Sequence, residues 1–279
     1  MKKDLCVMIP SRSRVQYLDR TINELYSTCS SINNFDIFCF IDNDQIELYL
    51  PIIKKYPKII WNFPPHVDKS FFNITNAQSK IAINSDYYFY WIFTDDFGGL
   101  NKNWDELILE KKGYYEDDLF ILHTKSTIWG RHMEIFNSCY SLDKLKEIDP
   151  YKTPDSPGDY SQWTLFDVIL HFNECSPIFT KKWLEMDSPI FQTGNYSSAR
   201  ELITACLIQQ LYVKYGINRH VECNLEYNWG SCDLNTNRII NIDGTEKDAA
   251  VRSLIDERYC EDIIDVLVNM KNYINKHKK

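Results

Sequence analysis

The hydrophobic positions of the first hundred residues alternate between two periods. Leu5–Ile9 is a short continuous apolar run that meets Pro10, as a strand buried on both faces would be. Within Val15–Ser31, residues Leu18, Ile22, Leu25 and Tyr26 recur at helical spacing. Phe35–Ile41 is a second β-rich run, closed by Asp42-Asn43-Asp44. Ile46–Tyr56 reads as a helix interrupted near its start by Pro51, and Lys58–Phe63 as a third strand closed by Pro64-Pro65. A helix over Thr75–Asn84 precedes the most apolar strand, Tyr87–Phe93, which stops at Thr94-Asp95-Asp96. Trp104–Lys112 is a short helix and Leu119–His123 another strand. Strands alternating with helices predict an α/β fold whose parallel sheet is built by crossover helices.

The pattern is weaker after residue 123. Asp149–Gln162 is rich in Pro, Asp and Ser and reads as loop, followed by an apolar stretch at Trp163–Phe172. Ser176–Thr180 is strand-like and leads into Lys181–Met186. Ser198–Tyr215 is helical and stopped by Gly216, and Asn224–Asp243 reads as irregular. Ala249–Ile274 carries a helical stripe of Val251, Leu254, Ile255, Ile263, Val266, Leu267, Met270 and Ile274.

Composition narrows the function classes. A formal net charge of −8 argues against a chain whose main task is gripping nucleic-acid phosphates. The nine cysteines form no C-x-x-C pair, and several, such as Cys39, lie inside apolar runs. Free buried thiols and a reducing, cytoplasmic location are expected. The N-terminal apolar run is too short for a signal peptide, and no segment reaches the ~18 apolar residues of a membrane span.

In an open α/β sheet, ligands bind beyond the carboxyl ends of the strands. There the sequence places Pro10, Ser11, Arg12, Ser13 and Arg14 after the first strand, Asp42 and Asp44 after the second, and Asp95 and Asp96 after the fourth. Adjacent carboxylates ending an apolar strand are costly unless a cation pairs with them. Mg²⁺ or Mn²⁺ bridging diphosphate oxygens is one solution, and an Asx-turn or helix cap the other. No P-loop, dinucleotide fingerprint, H-E-x-x-H or G-x-S-x-G is present.

The ordered stretches VMIPSRSRVQYLDRTINEL, FCFIDNDQ and NAQSKIAINSDYYFYWIFTDDFGGLNKNWDELILE resemble the nucleotide-binding half of family 2 glycosyltransferases with the GT-A fold. The resemblance covers about residues 4–112; SPIFTKKWLEM and GNYSSARELITACL are similar to the acceptor half more loosely. It implies a mostly parallel central sheet with flanking helices and a C-terminal helical extension. The corresponding division is a nucleotide-binding half over 1–112, an acceptor half over 113–243 and an extension over 244–279.

The implied reaction is metal-dependent, inverting transfer from a nucleoside-diphosphate sugar, most simply a UDP-sugar, to an acceptor hydroxyl. By position, Pro10, Ser11, Arg12 and Arg14 would lie against the nucleotide, Asp42 against uracil or ribose, and Asp95 near the ribose. Asp96, or the Asp95–Asp96 pair, would hold Mn²⁺ or Mg²⁺. The family's usual third acid is replaced by Phe97, and its glycine-rich segment by Lys69–Asn76. Glu201 is the first candidate for the base that deprotonates the acceptor and Asp159 the second; the plainer reading of Glu201 is a first-turn acid favoured by the helix dipole.

His220 with Cys223 and Cys232 lacks a fourth ligand and fits no zinc spacing. Trp129, Trp163, Trp183 and Trp229 fall on the acceptor side, where aromatic faces suit sugars, although core packing is the default explanation for a Trp. Two rivals share the outline: a non-catalytic nucleotide-sugar-binding module, and a sugar-phosphate nucleotidyltransferase. The latter class carries a Gly-rich first loop, and PSRSR has no Gly.

Overall fold

A computed structural model describes residues 2–66, 72–95, 97–126, 177–192, 204, 207, 208, 211, 215–229 and 257–277. Strands β1 (Leu5–Ser11), β2 (Phe35–Ile41), β3 (Ile60–Asn62) and β4 (Phe89–Ile92) form a parallel block in the order β3-β2-β1-β4. Helices α1 (Val15–Thr28), α2 (Ile46–Lys55) and α3 (Phe72–Asn84) make the crossovers. Both faces of this block are covered, which is why its strands read as unbroken apolar runs. On one face Leu5, Val7 and Ile9 of β1 meet Leu18, Ile22 and Leu25 of α1 and Tyr49 and Ile52 of α2. On the other, Cys6 and Met8 share a core with Ile74 and Ala82 of α3.

Beyond β4 the sheet turns mixed, continuing β7-β6-β8-β5. Strand β7 (Ile178–Thr180) lies antiparallel between β4 and β6 (Ile121–Ser126), β6 pairs parallel with β8 (His220–Trp229), and β5 (Phe97–Gly98) pairs antiparallel with β8. Helix α4 (Trp104–Leu109) packs on the α1 face. Helices α5 (Lys181–Gln192) and α6 (Glu257–His277) pack on the opposite one through Trp183, Leu184, Ile190, Val266, Leu267, Met270 and Ile274. The expected α/β class, with its C-terminal helix, is the observed one. None of the described helices is long and apolar enough to cross a membrane.

Several expectations are corrected in detail. β1 does not stop at Pro10. Met8 O accepts from Phe93 N–H (2.9 Å), so the even-numbered residues of β1 turn their backbone polar groups toward β4. Pro10 shares that parity, so its missing N–H ends the β4 ladder alone; the β2 pairing runs on to Ser11↔Ile41. Helix α2 passes through Pro51 unbroken, held on either side by buried Tyr49 and Ile52. Asn224–Trp229, read as irregular, belongs to β8. The alternation of buried Val221, Cys223 and Leu225 with exposed Glu222, Asn224 and Glu226 is the period-2 signature of a half-buried strand. Gly216 ends the preceding helix as expected, at φ 65°, and Ile217 N–H reaches back to Leu211 O (3.1 Å). Residues 249–256 of the expected terminal helix lie outside the described residues.

The Trp104-Asp105 pair anchors α4 against the end of α1. The indole of Trp104, fully buried between Phe35 and Trp91, donates to Leu25 O (3.0 Å). Asp105 is also fully buried and accepts from Ser30 N (2.7 Å), Ser30 Oγ (2.8 Å), Ser31 N (3.2 Å) and Asn34 Nδ2 (2.8 Å). Burial alone would raise the pKa of this carboxyl; the hydrogen bonds outweigh it and hold the group below its ordinary range. Asp105→Ala removes all four of these hydrogen bonds to a buried carboxylate at once. It should cost about 1–3 kcal/mol, read as a lower urea midpoint at unchanged slope, whereas an unchanged midpoint would refute the anchor.

Candidate functional site

The carboxyl ends of β1, β2 and β4 meet at one rim. Ser13, at φ 56°, takes the left-handed conformation that L-residues adopt only at a cost of about 1–2 kcal/mol. That turn carries the chain from β1 into α1, and Ser13 Oγ donates to Gln45 Oε1 (3.0 Å) across the loop. The loop sends its two arginines to different acids.

The inner cluster surrounds Asp95, which is 3% exposed. Its Oδ2 accepts from Ser11 Oγ (2.5 Å) and its Oδ1 from Arg14 Nη1 (2.8 Å); its backbone carbonyl accepts from Thr21 Oγ1 (3.0 Å). Tyr49 Oη lies 2.8 Å from Ser11 Oγ and accepts from Arg14 N (2.9 Å). Burial raises the Tyr49 phenol well above its usual pKa, so it stays protonated.

The outer cluster surrounds Arg12. Its guanidinium forks onto Asp44 (Nη1–Oδ1 2.8 Å, Nη2–Oδ2 3.0 Å) and reaches Asp42 Oδ2 (3.0 Å). His66 Nδ1 lies 3.1 Å from the same Asp42 oxygen, and its backbone N–H donates to Asn43 Oδ1 (3.2 Å). The bidentate partner holds the Asp44 carboxyl below the ordinary carboxylate range and pushes Arg12 up.

Of the residues singled out from the sequence, Pro10, Ser11, Arg12, Arg14, Asp42 and Asp95 therefore share this rim. Asp96, Glu201 and Asp159 lie outside the described residues, as do Trp129 and Trp163. Trp183 is fully buried in the core, so its ring is not offered to a sugar. Burial pushes the pKa of His220 down to about 4, and its ring lies against that of His123 on β6 (4.7 Å). Tyr49 and His66 join the site without having been anticipated. In the sequence Tyr49 is one more apolar position of α2, and His66 carries no signal beyond the Pro64-Pro65 turn that delivers it.

The fit to a divalent ion differs between the clusters. Among the described residues, Asp42, Asp44 and His66 have ligand atoms within 4.8 Å of one another. Arg12 already supplies the positive charge there, so a cation would have to displace a bidentate guanidinium. Each oxygen of Asp95 already accepts a hydrogen bond, which leaves Asp95 suited to organising the rim.

No protein-family model matches the chain. No curated protein matches it either. Solved structures similar to it include glucosyl-3-phosphoglycerate synthase from Mycobacterium tuberculosis in complex with Mn²⁺, UDP and phosphoglyceric acid. That pair has a TM-score of 0.49 and 10% identity over 81% of this chain and 70% of that one. TarS 1–349 from S. aureus in complex with UDP gives 0.48 and 15%, over 80% and 59%. The 4-diphosphocytidyl-2C-methyl-D-erythritol synthase of Anaerococcus prevotii gives 0.44 and 12%, over 96% of both chains.

The charge balance of the outer cluster is directly testable. Arg12→Ala should convert Asp42, Asp44 and His66 into a cation site. Mn²⁺ affinity of the ligand-free protein should rise on the order of 10-fold once an opposing unit charge is gone. The spectroscopic signal of free Mn²⁺ would report it, and a second change, His66→Ala, should reduce the gain. Equal Mn²⁺ binding by wild type and Arg12→Ala would show that Arg12 does not control the cluster.

Proposed function

We propose that the chain is a glycosyltransferase that takes its sugar from a nucleoside-diphosphate sugar, a UDP-sugar first among them, and passes it with inversion to an acceptor hydroxyl. The observation that carries this reading is the convergence of Ser11, Arg12, Arg14, Asp42 and Asp95 at the carboxyl ends of β1, β2 and β4. In an open α/β sheet this rim is where a nucleotide binds, and the same residues carry the sequence resemblance to family 2 glycosyltransferases.

In this reading Asp42 accepts from uracil or ribose, Asp95 organises the loop beside the ribose, and Arg12 or Arg14 faces the base or the diphosphate. Asp96, or the Asp95–Asp96 pair, would hold Mn²⁺ or Mg²⁺; the hydrogen bonds that Asp95 already accepts from Ser11 and Arg14 favour Asp96. A bound divalent ion would neutralise charge on the diphosphate. Glu201, with Asp159 as second candidate, takes the acceptor hydroxyl's proton as that oxygen bonds to the anomeric carbon. The bond from that carbon to the phosphate oxygen breaks, and the nucleoside diphosphate leaves. A reducing cytoplasm fits the cysteines described, since Cys6, Cys29, Cys39 and Cys223 are all free.

A panel of nucleotide-sugars with Mn²⁺ separates this reading from its rivals. Hydrolysis or transfer supports it, binding without turnover points to a sugar-nucleotide-binding module, and consumption of NTP with a sugar phosphate points to nucleotidyl transfer. Calorimetry should find UDP binding lost in EDTA and in Asp96→Asn, because close like charges repel without a cation. Glu201→Gln should cut transfer by roughly 10²-fold while donor binding stays intact. An unchanged kcat would move the base to Asp159, and equal UDP binding in EDTA would remove the metal from the account.

A further inference from the structure

The inner cluster contains a closed circuit whose donor order can be worked out atom by atom. The Arg14 backbone N–H can only donate, so Tyr49 Oη accepts from it (2.9 Å). The Asp95 carboxylate can only accept, so Ser11 gives its hydrogen to Oδ2 (2.5 Å). Ser11 Oγ, its own hydrogen spent, accepts from the Tyr49 hydroxyl across 2.8 Å. Arg14 Nη1 closes the circuit on Asp95 Oδ1 (2.8 Å). One phenol therefore fixes the loop at both ends, by its backbone at Arg14 and by its side chain at Ser11. Through Ser11 it also fixes the rotation of the Asp95 carboxylate.

Tyr49 is itself fully buried on α2. Helix α2 follows directly from the Asp42–Gln45 turn that presents the outer cluster. Tyr49 thus ties the inner side of the β1 loop to α2, while Arg12 and Ser13 tie its outer side to Asp42, Asp44 and Gln45. We propose that Tyr49 is a positioning residue of the donor site, acting through Ser11, Arg14 and Asp95 to hold the loop at the spacing a nucleoside diphosphate requires. This rests on the donor-site reading above.

Tyr49→Phe preserves the ring and removes the hydroxyl. Tyr56→Phe is its control at the other end of α2. Tyr56 Oη lies within hydrogen-bond distance of Asp19 Oδ1 (2.7 Å) and Asn23 Oδ1 (2.8 Å), away from the rim, and its one hydrogen goes to one of these two acceptors. Calorimetry with UDP and Mn²⁺ should show affinity falling on the order of 10-fold in Tyr49→Phe, the scale of one or two hydrogen bonds, and unchanged in Tyr56→Phe. Donor KM should rise with it while acceptor KM stays fixed, and amide exchange at Arg14 should quicken.

Equal losses in both variants would mean that only general stability had changed, and would overturn the proposal. So would wild-type affinity in Tyr49→Phe, which would leave the donor site itself standing. If wild type binds no nucleoside diphosphate, the donor-site reading fails and this one with it. Should Tyr49→Phe not fold, Ser11→Ala breaks the same circuit. It must produce the same donor-selective loss, and unchanged UDP affinity there would refute the role.

Discussion

Asp95 follows a strand buried on both faces, and a carboxylate in that position has to be paired. Much of the rim's organisation follows from this constraint. An isolated ionised carboxyl so far from water would be very costly. Ser11 and Arg14 supply the compensation, and both come from a single loop, so satisfying the charge also folds the loop over the strand end. The left-handed Ser13 lies between them, and Tyr49 secures the loop from α2. A second charge-compensated cluster, Arg12 with Asp42 and Asp44, lies alongside. These contacts hold the described rim side chains to one another, and such preorganisation would lower the entropic cost of binding a ligand.

The parallel half of the fold was legible in the sequence because its physics is local and redundant. Continuous apolar runs, helical stripes and acids at strand ends all pointed to the same arrangement for residues 5–109. A single cue weighed alone misleads at three places. Pro10 and Pro51 resemble breaks in the sequence, yet Pro10 loses a bond only on the side where the β4 ladder ends, and Pro51 lies between buried anchors. Strand β8 was missed because Asn and Glu at alternate positions disguise an edge-like strand as loop, although Val221, Cys223 and Leu225 show the period. The antiparallel insertion of β7 between β4 and β6 depends on contacts between residues far apart in sequence.

The site was legible in its inventory and not in its wiring. Arg12, Arg14, Asp42 and Asp95 were identifiable by position, but their pairing, Arg12 with Asp42 and Asp44, Arg14 with Asp95, is a property of the folded rim. Tyr49 could not be distinguished from a core residue because it is one: its ring packs in the core while its hydroxyl serves the loop. The Trp104-Asp105 pair shows the converse. It lies within a stretch that resembles the glycosyltransferase family, and it anchors α4 to the end of α1, a structural task.

The central claim is that this rim receives a nucleoside diphosphate. A crystal structure of the protein grown with UDP and Mn²⁺ tests it most directly. The account predicts electron density for the nucleotide across the ends of β1, β2 and β4, with the base or ribose at Asp42 and the Arg14–Asp95 pair intact beside it. Density for UDP at any other place on the molecule, or none at saturating nucleotide, would contradict it.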